Sequence, residues 1–339
     1  MVSTNFRLNV LYGRVGALRG VDITGVAGRV HGDVRGLQVT GVVSLVSGTS
    51  RGASVTGILN YSGGDVRGLQ FSGLMNYGRG NFHGLQFASL FNFVEKDFSG
   101  IQVTSMYNLA NADARYLQLA TIVNTVSGSF QGVQASSGIN FIQDDLHGAQ
   151  IGLLNSAHTF RGAQIGLVNL VGQAHGPQLG AVNIARQNDA FALGLVSVAD
   201  NGGADWVSFA TNVAAFSTGV RTSVRGFYSM FTVGVGDVQD ERDDTAFLGW
   251  NYGYAFGLTP RWNLDTDVGF VHVIPQPSDD PAENDRLHFG LQARAMGEVR
   301  VGKNTSVFGG AGVNTMFSEY STTATTEIEP LVVLGVSLY

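Results

Sequence analysis

The sequence predicts an all-β protein: an antiparallel transmembrane β-barrel of about eight strands with an inserted β-solenoid built from repeats of 14–16 residues. Three observations lead to this fold class. Glycine is frequent, with 47 residues, and proline is rare, with 6, which suits tight turns and kinked strands rather than helices. A short motif recurs at fixed spacing through the first half of the chain. The last third alternates apolar and polar residues over about ten positions at a time, as membrane strands do.

Composition narrows the classes of protein to consider. Charged residues are 14% of the chain, below the roughly 25% of soluble domains, while hydrophobic residues are 44%. No segment approaches the roughly 20 apolar residues of a membrane helix. A β membrane protein, a fibrous repeat and an apolar soluble β-protein therefore remain. The net charge of -6 gives no footprint for a nucleic-acid partner, and the absence of cysteine excludes disulfides and thiolate metal sites.

A Gly-x-Gln motif, exact or degenerate, starts every 16 residues from Gly20 to Gly148 and then every 14 residues, at Gly162, Gly176 and a degenerate copy at Ala190. An asparagine follows eight residues after most long starts and seven after the short ones. In a stacked solenoid both amides form hydrogen-bonded ladders. The glutamines are Gln38, Gln70, Gln86, Gln102, Gln118, Gln134, Gln150, Gln164 and Gln178. The asparagines are Asn60, Asn76, Asn92, Asn108, Asn124, Asn140, Asn155, Asn169 and Asn183. The predicted domains are a first barrel strand at 1–13, about twelve repeats at 14–200 and the remaining barrel at 201–339.

Each repeat fits either a solenoid coil or one membrane strand with its turn, and the second reading gives a single barrel of about twenty strands. Paired small residues such as Thr40-Gly41 and Thr56-Gly57 favour a corner, hence the solenoid. The short repeats lose one residue there, which in a continuous strand would turn the asparagine to the opposite face. A row of arginines argues the other way, because stacked like charges repel and must splay into solvent or meet an anion. The row is Arg19, Arg35, Arg51 and Arg67.

After residue 205 we predict seven long alternating strands, including 247–258, 262–273 and 286–301. The eighth is Asn5–Tyr12, so that the repeats become an extracellular insertion between strands one and two. Tight turns at 217–219, 259–261 and 302–304 alternate with long polar connections at 237–245, 275–285 and 319–330. A soluble β-sandwich also has one apolar face, but charges on the narrower face make it the weaker interpretation.

A barrel of eight strands has an interior filled by side chains. Charged residues on the narrower faces are therefore predicted to form a packed internal ion network, because paired charges are the tolerable kind inside. The members are Arg7, Arg221, Arg225, Asp265, Asp267, Arg294, Glu298 and Arg300.

Several segments resemble the bacterial "surface repeat" proteins. They are the Gly-Leu-Gln-x-Ser/Thr-Gly-x-x-Asn repeat, the run Phe216-Ser217-Thr218-Gly219-Val220-Arg221, the segment 227–232 and the opening 5–10. The resemblance spans nearly the whole chain and implies an outer-membrane or surface location. It supplies no catalytic residues, and the terminal segment 335–339 fits a barrel-assembly signal only loosely.

No phosphate loop, zinc-protease motif or serine elbow is present, so we expect no enzyme, cofactor or metal. His83, His147 and His175 share one repeat position and are interpreted as solvated, and the pairs at 243–244 and 279–280 as loop aspartates. The expected function is an outer-membrane anchor that displays the repeats, in contact with lipid and lipopolysaccharide, with a surface protein or glycan as candidate ligand. A diffusion pore with a polar lumen is the alternative, and a lipid hydrolase is third. The signal peptide is expected to have been removed.

Overall fold

The computed structural model describes residues 3–236, 245–274, 288–320 and 323–339. The protein is all-β and combines a parallel β-solenoid of about twelve turns with a closed antiparallel barrel of eight strands, which confirms the predicted fold class. The chain divides into two compact units, Met1–Leu179 and Gly180–Tyr339. Among the residues described, no helix is long and apolar enough to cross a bilayer.

In the first unit, a strand of about seven residues alternates with one of four. The first strand is β1 (Ser3–Asn9), and the later long strands are β3 (Ala17–Thr24), β5 (Val34–Thr40), β7 (Ser50–Thr56), β9 (Val66–Ser72), β11 (Phe82–Ala88), β13 (Phe98–Thr104), β15 (Ala114–Ala120) and β17 (Phe130–Ser136). The short strands are β2 (Tyr12–Val15), β4 (Ala27–Val30), β6 (Val43–Val46), β8 (Leu59–Ser62), β10 (Met75–Gly78), β12 (Phe91–Val94), β14 (Tyr107–Ala110), β16 (Val123–Val126) and β18 (Ile139–Ile142). The shortened repeats form one long strand, β19 (Asp145–Ala174), followed by β20 (Gln178–Leu179).

From β1 to β17, each strand pairs in parallel with the strand two positions further along the chain, and β18 pairs with the long strand β19. Gln70 lies opposite Gln86 and Gln86 opposite Gln102, while Asn76 lies opposite Asn92 on the other sheet. The 16-residue period is therefore one turn of a coil. The alternative of about twenty antiparallel barrel strands is wrong, because repeats of a barrel wall would pair in antiparallel hairpins.

The two ends of each coil differ in chemistry. The two residues between a long and a short strand, such as 57–58 and 73–74, bend the chain where small residues were predicted to form a corner. The second residue of each pair points out and is apolar, as in Ile58 and Leu74. We call this end the apolar corner. The opposite end, at turns such as 79–81 and 95–97, carries Arg79, Glu95 and Lys96, and we call it the polar edge.

The predicted first barrel strand belongs instead to the solenoid. The opening strand β1 pairs in parallel with β3, with Arg7 opposite Asp22 and Leu8 opposite Ile23. The repeats therefore precede the barrel and are not inserted between its strands. The reason for the error is physical: alternation shows only that one face of a strand is apolar, and both a coil and a barrel wall meet that condition.

The second unit opens with coil strands and continues into the barrel. The coil strands are β21 (Val182–Asn188), β22 (Ala192–Leu193) and β23 (Val196–Ala199). The barrel strands are β24 (Gly203–Thr211), β25 (Phe216–Val224), β26 (Phe227–Gly236), β27 (Thr245–Gly257), β28 (Trp262–Ile274), β29 (His288–Arg300), β30 (Thr305–Tyr320) and β31 (Thr323–Leu338). The first and last barrel strands pair, with Ser208 opposite Val336, and close the barrel.

Two of the predicted connections are corrected. The segment 217–219 lies within β25, because the chain turns at 212–215 and at 225–226 instead. The predicted polar loop at 319–330 is mostly strand, in β30 and β31. The turns at 259–261 and 302–304 are confirmed. The long connections predicted at 237–245 and 275–285 lie almost wholly outside the described residues.

Candidate functional site: two polar interiors

The interior of the solenoid contains two ladders of buried side-chain amides. The Nδ2 atoms of Asn76, Asn92 and Asn108 each donate to the Oδ1 atom of the next asparagine at 2.9 Å. Each of these amides also donates to a backbone carbonyl, as Asn92 does to Val103. The parallel register makes the ladder inevitable, since it stacks identical residues about 4.8 Å apart. The asparagine ladder continues through the shortened repeats, where Asn155 donates to Asn169 at 2.9 Å.

The glutamine ladder runs beside it. Gln86 donates to Gln70 at 3.1 Å, and the chain of amides reaches Gln178, which donates to Gln164 at 2.9 Å. Near the start of the array the ladder changes, because the repeat position is Asp22 in one rung and Ser54 in another. Gln38 bonds to Asp22 and Ser44 there, at 3.3 and 3.0 Å. All the predicted ladder residues are buried.

The two amide ladders have a structural role. A neutral amide neither ionises nor acts as a nucleophile at ordinary pH, and the amides are nearly inaccessible to solvent. Their donors and acceptors are satisfied by one another, which is the condition under which a buried polar group is tolerated. We therefore assign them no binding or catalytic chemistry.

The barrel interior contains a charged cluster around Arg221. Its guanidinium group donates to Asp205 at 3.1 Å, to Asp265 at 2.9 Å and to Glu298 at 3.0 Å. A second pair stands beside it, in which Arg294 contacts Asp267 through two bonds of 2.8 and 2.9 Å. Each member has a relative exposure of 7% or less. Bidentate arginine–carboxylate contacts of this kind are the geometry that makes buried charge tolerable.

Five of the eight predicted interior charges lie in this cluster, and three lie elsewhere. Arg7 is in the solenoid, where its Nε atom donates to Asp22 at 2.8 Å. Arg225 sits in a turn with φ of 54° and pairs with Asp189 at the surface. Arg300 is exposed at the end of its strand, with its guanidinium group 5.1 Å from the centre of the Tyr339 ring. For residues at the ends of barrel strands, such as Arg300, alternation indicates the inner face of the strand but not the distance from the barrel mouth.

Sequence reasoning missed other members of the cluster. Asp205 is the third residue of the first barrel strand, and the alternation of buried and exposed positions through Trp206 and Val207 could have identified it. Tyr228 donates to Asp267 at 2.9 Å. Ser337 and Tyr339 both donate to Glu298, at 2.8 and 2.6 Å, so the last residues of the chain hold the cluster in place. No local motif marks these last contacts, because they depend on barrel closure.

One end of the barrel carries the short turns at 225–226, 258–261 and 301–304, and the coil residues of the same unit pack there. The Ser197 amide donates to Thr222, and the Ser229 hydroxyl donates to the Leu195 carbonyl, both at 3.2 Å. The Phe191 and Phe227 rings lie 5.5 Å apart. These contacts cover the short-turn end of the barrel.

The outer face of the barrel is apolar and exposed. Val268 is 63% exposed, Leu291 51% and Leu334 66%. Aromatic rings cluster near both ends: Phe227, Tyr254 and Phe256 at the short-turn end, and Phe289 with Phe317 at the other.

The height of this apolar band follows from strand geometry. Phe289 lies near one end of the band, and Val299, the strand partner of Trp262, lies near the other. They are ten residue steps apart, since 299 less 289 is ten. At about 3.3 Å per residue and a tilt of about 40°, that length rises about 25 Å, the height of the apolar band of outer-membrane barrels.

Across the described ranges, no three histidine, aspartate or glutamate side chains group in a way that could hold a metal ion. His83 and His147 are at the surface of the solenoid, in the position predicted to be solvated. The aspartate pairs at 243–244 and 279–280 lie outside the described residues. Comparison with models of protein families, with curated proteins and with solved structures finds no match to this chain.

Proposed function

We propose that this chain is an integral protein of the bacterial outer membrane, in which the eight-strand barrel anchors the repeat array. The observation that supports this proposal best is the barrel's reversed polarity: buried charges inside, and an exposed apolar band about 25 Å high outside. In water such a band is far larger than the apolar patches of soluble monomers. The resemblance to the surface repeat proteins points to the same location and rests on sequence motifs alone. No catalytic role is proposed.

A charge placed in the band tests this proposal. Val268 lies midway along β28, and Val301 lies in a turn at the barrel end; they are 63% and 62% exposed. We expect Val268→Arg to lower the free energy of unfolding by about 2–4 kcal/mol in lipid vesicles, and Val301→Arg by about 0–1 kcal/mol, because burying a charge in lipid costs most at mid-depth. Denaturant unfolding in vesicles measures both. Equal small losses would indicate a barrel surrounded by water.

The point where the chain enters the barrel changes the side of the membrane that we propose for the repeats. The chain enters the barrel at Gly203, at the end that carries the short turns. In outer-membrane barrels the short turns face the periplasm. The proposal therefore places the residues before Gly203 in the periplasm. A surface protein or glycan ligand is accordingly not proposed for the repeats, while lipopolysaccharide stays a proposed neighbour of the barrel's outer half.

Labelling of single cysteines tests this orientation, because the chain has no cysteine of its own. Ala215→Cys places a thiol at an exposed position of the 212–215 turn, and Lys96→Cys places one on the polar edge of the solenoid. In intact cells, a membrane-impermeant maleimide should label the thiol at position 215. The thiol at position 96 should react only after the outer membrane is permeabilised. The reverse pattern would place the repeats outside the cell.

The pore alternative depended on about twenty strands and is not carried forward. With eight strands the interior is filled, here by the Arg221 and Arg294 clusters together with the side chains of Phe209, Tyr228 and Met230.

A further inference from the structure

We propose that the repeat array is itself a lipid-binding surface: its apolar corner lies among the acyl chains of an anionic phospholipid leaflet, and its arginine row lies at the level of the phosphates. This inference extends the proposed function, since it takes the membrane that the barrel spans as the membrane that the solenoid contacts. The leaflet is the periplasmic one, because the chain enters the barrel at the short-turn end, which faces the periplasm in the proposed orientation.

The two halves of each coil have opposite polarity: one has an apolar inside and a polar outside, and the other has a polar inside and an apolar outside. Near the polar edge the coil is arranged as in a soluble protein: Val66 is buried inside, and Arg67 points outward and is exposed. Near the apolar corner the arrangement reverses. Gln70 is buried, while Phe71 and Leu74 point outward with exposures of 36% and 42%. One half of the cross-section therefore suits water, and the other half suits lipid.

The apolar half repeats from coil to coil and forms one continuous surface. The Phe71 and Phe87 rings stack at 4.9 Å on the long-strand sheet. At the corner, Ile58 and Ile122 are 43% and 47% exposed. Contiguous apolar surface on this scale marks a binding face rather than a scatter of single residues.

A row of exposed arginines runs beside the apolar surface of the solenoid. The Arg19, Arg35, Arg51 and Arg67 side chains lie in one register, on the outward face, beside the apolar rows. Strands in register are about 4.8 Å apart, so four like charges stand in a line. Within the described part of the chain, none of these four forms a direct ion pair; the nearby Asp33, whose pKa is lowered by the Thr49 backbone amide and further by Arg35 and Arg51, accepts a hydrogen bond from that amide instead. Lipid phosphates supply the counter-anions, and arginine binds phosphate in a bidentate manner.

The depth of the apolar part of a coil can be compared with the thickness of one lipid leaflet. Five residue steps separate Leu69, which follows the arginine row, from Leu74 at the corner, since 74 less 69 is five. Because the chain bends at 73–74, only the three steps from Leu69 to Ser72 follow the strand, and at about 3.3 Å per residue this straight part is about 10 Å deep. Half of a hydrocarbon core of about 30 Å is about 15 Å. The apolar part of the coil is therefore shallow enough to lie within one leaflet, with its charges at the headgroups and its polar edge in water.

A fluorescent label at single cysteines in the full-length protein tests the proposal. Leu69→Cys and Leu74→Cys report on the apolar half, Lys96→Cys on the polar edge and Val268→Cys on the barrel wall. Each variant carries an environment-sensitive dye and is reconstituted in phosphatidylglycerol–phosphatidylethanolamine vesicles with acyl-brominated lipids. Bromine quenches only dyes in direct contact with acyl chains.

We expect strong quenching at positions 69, 74 and 268, little at 96, and deeper bromines to quench position 74 several-fold more than position 69. Quenching at 268 without quenching at 69 and 74 overturns this inference and leaves the barrel proposal standing. No quenching at 268 overturns both. Dyes at 69 and 74 that are shielded from bromine, but become exposed on dilution of the protein, would show that a second copy of the chain covers the face.

The arginine row has its own control. Arg35→Gln, Arg51→Gln and Arg67→Gln combined should lower the quenching at position 74 in the anionic vesicles and remove most of its dependence on the anionic lipid and on salt. Unchanged quenching, with unchanged salt dependence, would overturn the role of the arginines in binding phosphate.

Discussion

Arg221→Met should destabilise the barrel by about 3–5 kcal/mol, because it removes one partner of a buried ionic cluster and leaves the others uncompensated. Three carboxylates, those of Asp205, Asp265 and Glu298, converge on this guanidinium group inside the barrel. Without it their negative charges face one another at low dielectric, where repulsion is weakly screened. Denaturant unfolding in vesicles, together with the heat-dependent gel migration of folded barrels, measures the loss.

A compensated variant separates charge from packing. If the loss comes from unpaired carboxylates, combining Arg221→Met with Asp205→Asn, Asp265→Asn and Glu298→Gln should recover most of the stability, since neutral or apolar replacements of buried ion clusters are often well tolerated. Arg225→Gln is the matched control: this arginine pairs with Asp189 at the surface, 55% exposed, and its loss should cost at most about 1 kcal/mol. A failure of the compensated variant to recover would show that the guanidinium group's packing, including its position 5.5 Å from the Tyr228 ring, carries the effect.

The solenoid could be predicted from the sequence because stacked coils impose the same residue requirement at the same position of every repeat. One asparagine in a strand predicts little, but an asparagine at the same phase of each turn is explained only by a structure that places each on the next. The shortened repeats added the decisive detail. Losing one residue between Gln150 and Asn155 keeps both buried, as a corner allows and a straight barrel strand would not.

The boundary between coil and barrel could not be read in the same way. Asn5–Tyr12 alternates as cleanly as a barrel strand, and its Phe6 and Leu8 are 65% and 68% exposed. Alternation is the local consequence of having two different faces, and the solenoid's inverted half also has an apolar outside and a polar inside. The pattern therefore carries no information about which partner strand a segment finds; parallel pairing with β3 decides that.

The barrel cluster was partly predictable for a related reason. Phase along a strand indicates which charges point inward, and it indicated Asp265, Asp267, Arg294 and Glu298. It does not indicate height, so Arg300 was placed inside although it is at the mouth. Glu298 meets Arg221 across 77 residues of chain, and only closure of the sheet brings them together.

The barrel and the solenoid show the same polarity in different topologies. In each, buried hydrogen-bonding groups satisfy one another inside, by ion pairs in the barrel and by amide ladders in the coil. On the barrel wall, and in the half of each coil next to the apolar corner, apolar side chains point outward. The low charge content of the chain, 14%, agrees with this arrangement, since an apolar exterior leaves only the polar half of each coil and the barrel ends for solvated charges. The low charge content therefore agrees with our proposal that both units face lipid.

Gly84→Ala should cost the solenoid about 3–5 kcal/mol, from a backbone conformation that L-residues avoid and from overlap with the coil below. Gly84 has φ of 139°, and a Cβ atom there would lie 1.9 Å from the Gly68 carbonyl oxygen. The same contact recurs along the motif row, which is why glycine recurs at that phase. Hydrogen exchange of the amides in β9 and β11 should accelerate, because a coil exchanges with its immediate neighbours.

Gly78→Ala is the matched control in the adjacent short strand. A Cβ atom there would be 3.9 Å from its nearest neighbour, an ordinary contact, and we expect a change within about 1 kcal/mol. Tyr116 occupies the motif glycine's slot in one coil, with φ of 87° and its side chain 65% exposed, so a single rung can distort to admit a side chain. A loss at Gly84 no larger than at Gly78 would mean that every rung can adjust in this way. The glycine row would then reflect history rather than the close approach of stacked backbones.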